Sequence, residues 1–391
     1  MRYFFVATIF LSSFLIFSQP NFKIDSLYSK KLNEYRRIKF FFHGNPHDAI
    51  PAHTVYVLDA QDEHIFNVVN DLIHFQLNQV APILVVGIVS EKRNHDFLME
   101  SSNENDMKLY GSDMGNFIAF NSFFTDELIP HVKNKFNVSS QQWVVGHSNG
   151  ATFLLNQWIN NPNLSPSLFS AKILIDPNFM FMNNEISRKL DESKESYSNK
   201  EIVYLSRAYY PQSPNEWKQA SRIGYESLKK HQSKSNAFKF ENFETKYNHY
   251  SVIPQACQNG FEFIFSQTIF NPNYYLNFLR DNCKDLALKN TEALNYMLSF
   301  YYRGNDFLAK KSASFIDSNF PNIGENNLDA QVNFQLAMKF EDLKYFKSSL
   351  TLYKNCLSFL EKNNLNMDME TYDRYKNLIQ NKIANLTSKA N

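Results

Sequence analysis

The chain has few cysteines and almost no net charge, and each shortage excludes a class of protein. Its three cysteines, Cys257, Cys283 and Cys356, form no CxxC pair, so no metal knuckle is visible. Either one disulfide, for example Cys257 with Cys283, or three buried free thiols would fit this count. The 40 basic and 39 acidic residues leave a net charge of +1. Nothing in that balance directs the protein to nucleic acid or to an anionic membrane.

Long hydrophobic runs are absent after the first twenty residues. Arg2 is followed by a largely apolar run from Phe4 to Phe17, and Ser18-Gln19 offers a plausible cleavage region. The run of about 14 residues is short for a membrane span, and its flanks are typical of a secretory signal. We therefore predict a signal peptide over residues 1–19, export to the periplasm or the medium, and no stable membrane insertion of the mature chain. An uncleaved anchor is the alternative.

The length of 391 residues predicts two domains rather than one. The first predicted domain spans residues 20–270. From about residue 36 to 265 it alternates short apolar strands with helices, which indicates a mostly parallel sheet covered on both faces. This is the α/β class, and specifically an α/β-hydrolase arrangement. The predicted strands are 36–43, 53–59, 83–89, 143–145, 172–175 and 202–205, and the predicted helices are 65–77, 117–136 with a break at Pro130, 151–159 and 214–230.

Residues 275–391 have a different character. Glycine and proline become scarce there, no strand pattern occurs, and apolar residues recur at helical spacing. Two helix pairs are predicted, over 291–320 and 328–363, and they weakly resemble tetratricopeptide units. A plain helical bundle fits equally well. This segment offers no visible chemistry, although its helices are a possible surface for a protein partner.

A nucleophile motif is the strongest functional signal in the chain. Gly146-His147-Ser148-Asn149-Gly150 follows the apolar strand 143–145 and precedes a helix. A serine in a strained strand-to-helix turn exposes its hydroxyl, and the flanking glycines avoid collisions with neighbouring chain. Because the chain has only 10 glycines, residue frequencies give roughly 0.02 chance matches. We therefore predict Ser148 as the nucleophile.

A serine hydroxyl needs a base, which we expect to be a histidine after the last strands of the sheet. His249 follows a strand-like run over 237–243. The other histidine downstream of Ser148, His231, lies in a basic helical stretch. His249 is therefore the predicted base.

The acid that orients the histidine is less well determined. Glu216, the first carboxylate after the strand 202–205, is the preferred candidate. Asp176, which ends the strand 172–175, is the rival, and a dyad of serine and histidine without an acid is the third possibility.

The oxyanion hole requires backbone N–H groups that face the developing negative charge. One should come from Asn149, the residue after the nucleophile. The other should come from the loop after strand 53–59, at Ala60 or Gln61.

Taken together, these motifs resemble the putative-esterase family, which includes ferric-enterobactin esterase-like and S-formylglutathione hydrolase-like enzymes. The similar segments run in the family's order from about residue 25 to 265: Val57-Leu58-Asp59-Ala60, Val86-Gly87-Ile88 with Arg93 and Asp96, Phe124 to Pro130, Gly146 to Gly150, and His249-Tyr250-Ser251-Val252. Three positions depart from the family's pattern. Ala60 stands where the family has Gly, Asp176-Pro177-Asn178 where it often has Ser-Pro-Ser, and Tyr209 or Tyr210 where its usual acid falls.

The resemblance implies ester or thioester hydrolysis without a metal or an organic cofactor. The sequence therefore predicts a serine-dependent carboxylic ester hydrolase that acts through an acyl-enzyme on a small-molecule or siderophore-like ester. Two alternatives remain: an acyltransferase on the same fold, and a catalytically degenerate binding or scaffold protein that uses its C-terminal helices.

Overall fold

The computed structural model describes residues 22–43, 49–77, 80–160, 168–192, 201–208, 212–230, 238–362 and 368–389. The predicted signal peptide lies outside these residues. The chain divides into two compact units, the first comprising Met1–Asp48 and Ala52–Ile264 and the second Ala49–Pro51 and Phe265–Asn391. No helix of the described part is both long and apolar enough to cross a membrane.

The first unit is built on one eight-stranded sheet. The strands are β1 Phe22–Ser29, β2 Glu34–His43, β3 Ala52–Val57, β4 Ile83–Ile88, β5 Val138–His147, β6 Ala171–Ile175, β7 Ile202–Arg207 and β8 Phe238–Asn242. Their order in the sheet is β1-β2-β4-β3-β5-β6-β7-β8. β2 is antiparallel to both β1 and β4, while every pair from β4 to β8 is parallel.

Helices connect these parallel strands, which confirms the predicted α/β architecture. They are α1 Glu63–Leu77, α2 Arg93–Phe97, α3 Glu104–Tyr110, α4 Phe117–Ser122, α5 Ile129–Lys135, α6 Asn149–Asn160, α7 Phe181–Glu192 and α8 Asn215–Lys230. A further helix, α9 Val252–Gln267, follows the last strand. β3, β4 and β6 are buried at every position. A strand that packs helices on both faces is largely apolar, and this explains why these segments lack regular polar alternation.

The helix predicted over 117–136 does not break at Pro130. The chain stays helical from α4 to α5, and a π-helical segment, Phe123–Leu128, lies between them. Pro130 is the second residue of α5, and it has no N–H to donate to the helical turn that precedes it. The wider winding just before it accommodates a residue that cannot complete the regular hydrogen-bond ladder.

The abundant phenylalanine forms an aromatic core on one side of the sheet. Phe153 of α6 contacts Phe97, Phe117 and Phe120, with ring centroids 5.3 to 5.8 Å apart. Most of these rings meet at steep angles, the arrangement that aromatic quadrupoles favour. The helix that follows Ser148 is therefore anchored by tight packing along its buried face.

The second unit is all-helical in its described residues, as predicted for 275–391. It contains α10 Pro272–Asn282, α11 Leu286–Tyr302, α12 Asp306–Asn319, α13 Ala330–Asp342, α14 Phe346–Lys362 and α15 Met369–Thr387. Side-chain oxygens of Asn271, Asp285, Asn305, Asp329 and Asp368 cap five of these helices, which satisfies N–H groups that the first turn leaves unpaired. The tetratricopeptide resemblance stays a prediction.

All three cysteines are buried free thiols. Of the two possibilities that the sequence left open, the structure therefore has free thiols and no disulfide between Cys257 and Cys283.

Candidate active site

The candidate site lies where β3, β5 and β6 end at the carboxyl edge of the sheet. Each of these strands is followed by a residue with a positive φ: Asp59 (60°), Ser148 (55°) and Asp176 (42°). This conformation is uncommon for residues other than glycine, and such strain is concentrated at functional sites. Because parallel strands bring their carboxyl ends to one edge, the three residues share one neighbourhood.

The turn around Ser148 is tightly constrained. A Cβ at Gly146 would lie 2.8 Å from the backbone carbon of Gly150 and 2.9 Å from the Ala151 nitrogen. The Ser148 N–H donates to the Ile175 carbonyl at 2.9 Å, which ties the turn to the adjacent strand. α6 begins directly after the serine. The sequence therefore folds here into the strand–turn–helix geometry that exposes a serine hydroxyl.

His249 is paired with Asp176. The His249 Nδ1 donates to Asp176 Oδ2 at 2.7 Å, and the other carboxylate oxygen accepts from the Ala208 N–H at 2.9 Å. Asp176 is fully buried, and this burial raises the pKa of its carboxyl group, while the hydrogen bond from His249 opposes the rise. Glu216 is exposed in the first turn of α8. Glu216, the preferred candidate from the sequence, is therefore replaced by Asp176, because Asp176 is the carboxylate that contacts His249.

His147 supports the loop that carries this histidine. Its Nε2 donates to the backbone oxygen of His249 at 2.8 Å, and the two rings lie 4.5 Å apart. Burial, followed by repulsion from His249, lowers the pKa of His147 well below its usual value. A neutral ring keeps a second positive charge away from the base. The rings of Trp217 and His249 also pack nearly perpendicular to each other, with their centroids 5.2 Å apart.

The structure leaves two of the three predicted oxyanion donors, Asn149 and Gln61, as candidates. The Ala60 N–H donates to the Ile88 carbonyl at 2.9 Å. Contrary to the prediction, it is therefore not available to an oxyanion. Asn149 is the first residue of α6, where N–H groups have no intrahelical acceptor. The side chain of Gln61 is held by Asp59 and by the Ser90 N–H, both at 2.9 Å, and its backbone stays a candidate.

An ion pair that sequence reasoning did not assign braces the loop after β3. Arg93 binds both carboxylate oxygens of Asp59, at 2.9 and 3.0 Å, and also reaches the His147 carbonyl at 3.4 Å. Asp96, its neighbour in the motif, instead binds Arg36 with two contacts of 2.7 Å. Paired, planar contacts of this kind fix geometry as well as charge. The motif's Arg and Asp therefore brace two different parts of the fold.

Two cavities meet at Ser148 and His249. The larger, about 360 Å³, is lined also by Tyr110, Asn178 and Trp217. The smaller, about 170 Å³, is lined by residues of the loop after β3 and by the exposed ring of Tyr250. An ester has an acyl part and an alcohol part on either side of its carbonyl carbon, and the two cavities provide space for both. In the described ranges, no cluster of three or more His, Cys, Asp or Glu side chains could hold a metal ion.

Comparisons with known proteins agree with this architecture. Residues 29–243 match the Putative esterase family, which is more than half of the chain. An IroE-like serine hydrolase from Shewanella oneidensis has a similar structure, with a TM-score of 0.56 and 17% identity over 87% of this chain and 100% of that chain. No curated protein matches.

Two further solved structures have a similar fold over 63% of this chain. The BES protein from Bacillus cereus has a TM-score of 0.51 and 21% identity, covering 63% of this chain and 97% of its own. The siderophore hydrolase EstA from Aspergillus nidulans has a TM-score of 0.51 and 18% identity, covering 63% and 95%. At these identities the likeness establishes the fold, whereas the family match establishes the kind of reaction. The chain belongs to the Putative esterase family and is an ester hydrolase on an α/β-hydrolase fold.

Proposed function

We propose that this chain hydrolyses carboxylic esters through an acyl-enzyme, with Ser148 as nucleophile, His249 as base and Asp176 as the orienting acid. The observation that carries the proposal is the contact of 2.7 Å between His249 and the buried Asp176, next to a serine held at φ 55°. The family match ends at residue 243 and does not cover His249, whose role is supported by this geometry together with its place in the sequence.

In the first half of the reaction, Ser148 Oγ attacks the carbonyl carbon and its proton passes to His249 Nε2. The negative charge that forms on the carbonyl oxygen is stabilised by backbone N–H groups, of which Asn149 is one and Gln61 the second candidate. Asp176 holds Nδ1 protonated, which leaves Nε2 able to accept the serine proton. The histidine then returns the proton to the leaving alcohol.

In the second half, His249 takes a proton from water, and the hydroxide equivalent attacks the acyl carbonyl. Collapse of the second intermediate breaks the bond to Ser148 Oγ, which recovers its proton from His249 as the carboxylic acid departs. The two cavities beside Ser148, about 360 and 170 Å³, would separate the acyl group from the leaving alcohol. A small-molecule ester fits their combined size, and a siderophore-like ester is one member of that class.

The test compares the parent protein with Ser148→Ala on a panel of p-nitrophenyl esters. The parent should show a burst of p-nitrophenol and should be labelled by a fluorophosphonate. The variant should lose both, with a fall in kcat of about 10⁴- to 10⁶-fold. Hydrolysis by Ser148→Ala at the parental rate would overturn the proposal.

We further propose that the chain is exported after removal of residues 1–19. The charged start and short apolar run support this, and those residues lie outside the described part of the structure. The mass of the protein isolated from its native host should correspond to a chain beginning near Gln19 or Pro20. A mature protein that retains Met1 would contradict cleavage.

A further inference from the structure

A closed ring of hydrogen bonds borders the larger cavity. Asn94 Nδ2 donates to the Tyr110 carbonyl at 3.1 Å, and Asn149 Nδ2 donates to Asn94 Oδ1 at 2.9 Å. Asn178 Nδ2 then donates both to Asn149 Oδ1 at 2.9 Å and to the Tyr110 hydroxyl at 2.8 Å. The ring therefore begins and ends at Tyr110, through its backbone and its side chain.

Backbone groups at both ends fix the direction of every amide in this ring. The Met180 N–H donates to Asn178 Oδ1 at 3.2 Å, so the other arm of that side chain must carry the N–H groups. Asn149 must then turn its oxygen to Asn178 and its nitrogen to Asn94. Asn94 in turn must present its nitrogen to the Tyr110 carbonyl, which can only accept. Reversing any one amide would set two acceptors or two donors against each other.

This direction has a consequence for the tyrosine. The Tyr110 hydroxyl accepts from Asn178, so its own proton is free to be donated elsewhere. Burial raises the pKa of Tyr110, which keeps the hydroxyl protonated at neutral pH. All three carboxamide oxygens already accept hydrogen bonds within the network. Each of these oxygens therefore already has a donor, whereas the Tyr110 proton is not used within the ring.

We propose that the Tyr110 hydroxyl is a specificity-determining donor that binds an acceptor oxygen of the ester lying in the larger cavity. The inference rests on the proposed function, since it concerns the cavity shared with Ser148 and His249. The favoured substrates are esters whose acyl or alcohol group carries an ether, carbonyl or hydroxyl oxygen within reach of this proton. Wholly aliphatic esters would leave the donor unpaired in a partly buried wall, which is costly.

Matched pairs of esters test this directly, because an ether oxygen accepts a hydrogen bond and replaces a methylene with little change of shape. For the acyl group the pairs are p-nitrophenyl butyrate with methoxyacetate, and pentanoate with 3-methoxypropionate. For the alcohol group the pair is butyl acetate with 2-methoxyethyl acetate. The ratio of kcat/KM between parent and Tyr110→Phe, compared within a pair, cancels the intrinsic reactivity of each ester.

Tyr110→Phe should reduce kcat/KM by about 5- to 20-fold for the ether member of at least one pair, and by less than about twofold for its aliphatic partner. The variant keeps the ring that packs edge-on against Phe181 at 5.8 Å. Tyr35→Phe, which removes a hydroxyl from an exposed tyrosine, is the matched control and should change neither member. An equal loss for both members of every pair would overturn the proposal.

Asn178→Asp tests the direction in which the Tyr110 hydroxyl donates its proton. A carboxylate at this position accepts the Tyr110 proton, so the ether preference should disappear although the hydroxyl remains. Retention of the preference in a folded Asn178→Asp variant would contradict the inference, and Tyr110→Phe decides the matter if that variant does not fold. The outcomes also separate the two proposals. Full activity in Ser148→Ala would remove the serine mechanism, whereas an inactive Ser148→Ala with no selective effect at Tyr110 would remove only the donor.

Discussion

The turn that carries Ser148 and the loop that carries His249 are both needed for the proposed chemistry, but they are constructed differently. Contacts within a few residues define the turn: Gly146 lies against Gly150 and Ala151. The loop around His249 is defined from a distance, by Asp176 and His147. The turn of the nucleophile is therefore shaped mainly by its own sequence, with a backbone hydrogen bond to Ile175 as a distant support. The base, in contrast, functions only if remote parts of the chain fold correctly.

Among the changes that test this contrast, the largest effect should come from removing the distant partner of the histidine. In Asp176→Asn, the Ala208 N–H still requires an oxygen at its 2.9 Å contact, so the new amide nitrogen must face His249 Nδ1. The imidazole would then carry its proton on Nε2, where it cannot accept the serine proton. We expect kcat/KM to fall about 10²- to 10⁴-fold, measured with p-nitrophenyl esters at neutral pH.

Glu216→Gln is the matched control, because it neutralises the carboxylate that the sequence favoured. Its side chain is exposed, and we expect a change of less than about twofold, as is usual for a surface substitution. A larger loss in Glu216→Gln than in Asp176→Asn would reverse the assignment.

The contrast between turn and loop also explains which parts of the fold and the site could be predicted from the sequence. The parallel sheet, the serine turn and His249 follow from apolar runs, a glycine pattern and chain order. The choice between Asp176 and Glu216 does not, because it depends on which strand end faces the histidine. An acidic residue at the start of a helix, as Glu216 is, has an independent reason to be there, since it complements the helix dipole.

Two other features were beyond sequence reasoning for equally physical reasons. The positive φ of Asp59 precedes an Ala60 N–H that is bound to Ile88. Asp tolerates a positive φ better than most residues other than glycine, but it usually adopts other conformations, so its presence alone does not predict this one. The four-residue ring at Tyr110 joins α2, α3, α6 and the segment after β6, and no local pattern marks such a network.

A second prediction concerns the crowding within the turn itself. In Gly146→Ala the new Cβ would lie 2.8 to 2.9 Å from backbone atoms that cannot move independently. We expect a loss of about 2 to 4 kcal/mol in the free energy of unfolding, in the range of overpacked cores and strained backbone. Urea unfolding followed by tryptophan fluorescence measures it, since all three tryptophans, Trp143, Trp158 and Trp217, lie in the first unit.

Gly150→Ala, four residues away, provides the comparison. Its new Cβ would approach a side-chain oxygen of Asp59 at 3.2 Å and otherwise make ordinary contacts. Because the position is helical, alanine gains up to about 1 kcal/mol of helix propensity, which offsets the contact. We expect a net change within about 1 kcal/mol, and an equally small loss in Gly146→Ala would show that the turn is less constrained than its geometry indicates.

The smallest effect concerns the stability of the fold in acid. It depends on two histidines at the edge of the sheet opposite the one that carries Ser148. His53 lies at the start of β3, remote along that strand from Asp59, and burial lowers its pKa to about 3. Desolvation likewise lowers the pKa of His43 to about 4. In the unfolded chain both rings accept protons below pH 6.5, whereas in the folded chain they stay neutral. These two histidines should therefore leave the free energy of unfolding unchanged above about pH 6.5 and should lower it as the pH drops from 6.5 toward 3.

For His53 alone, the loss between pH 7 and pH 5 should be about 1 to 2 kcal/mol. His53→Gln should lower stability at pH 7 yet flatten this dependence by the same amount, measured by urea unfolding at the two pH values. An unchanged slope would mean that His53 is not the source of the acid sensitivity. Because the substitution leaves Ser148, His249 and Asp176 untouched, it also shows how much acid inactivation arises from unfolding and how much from titration at the catalytic edge.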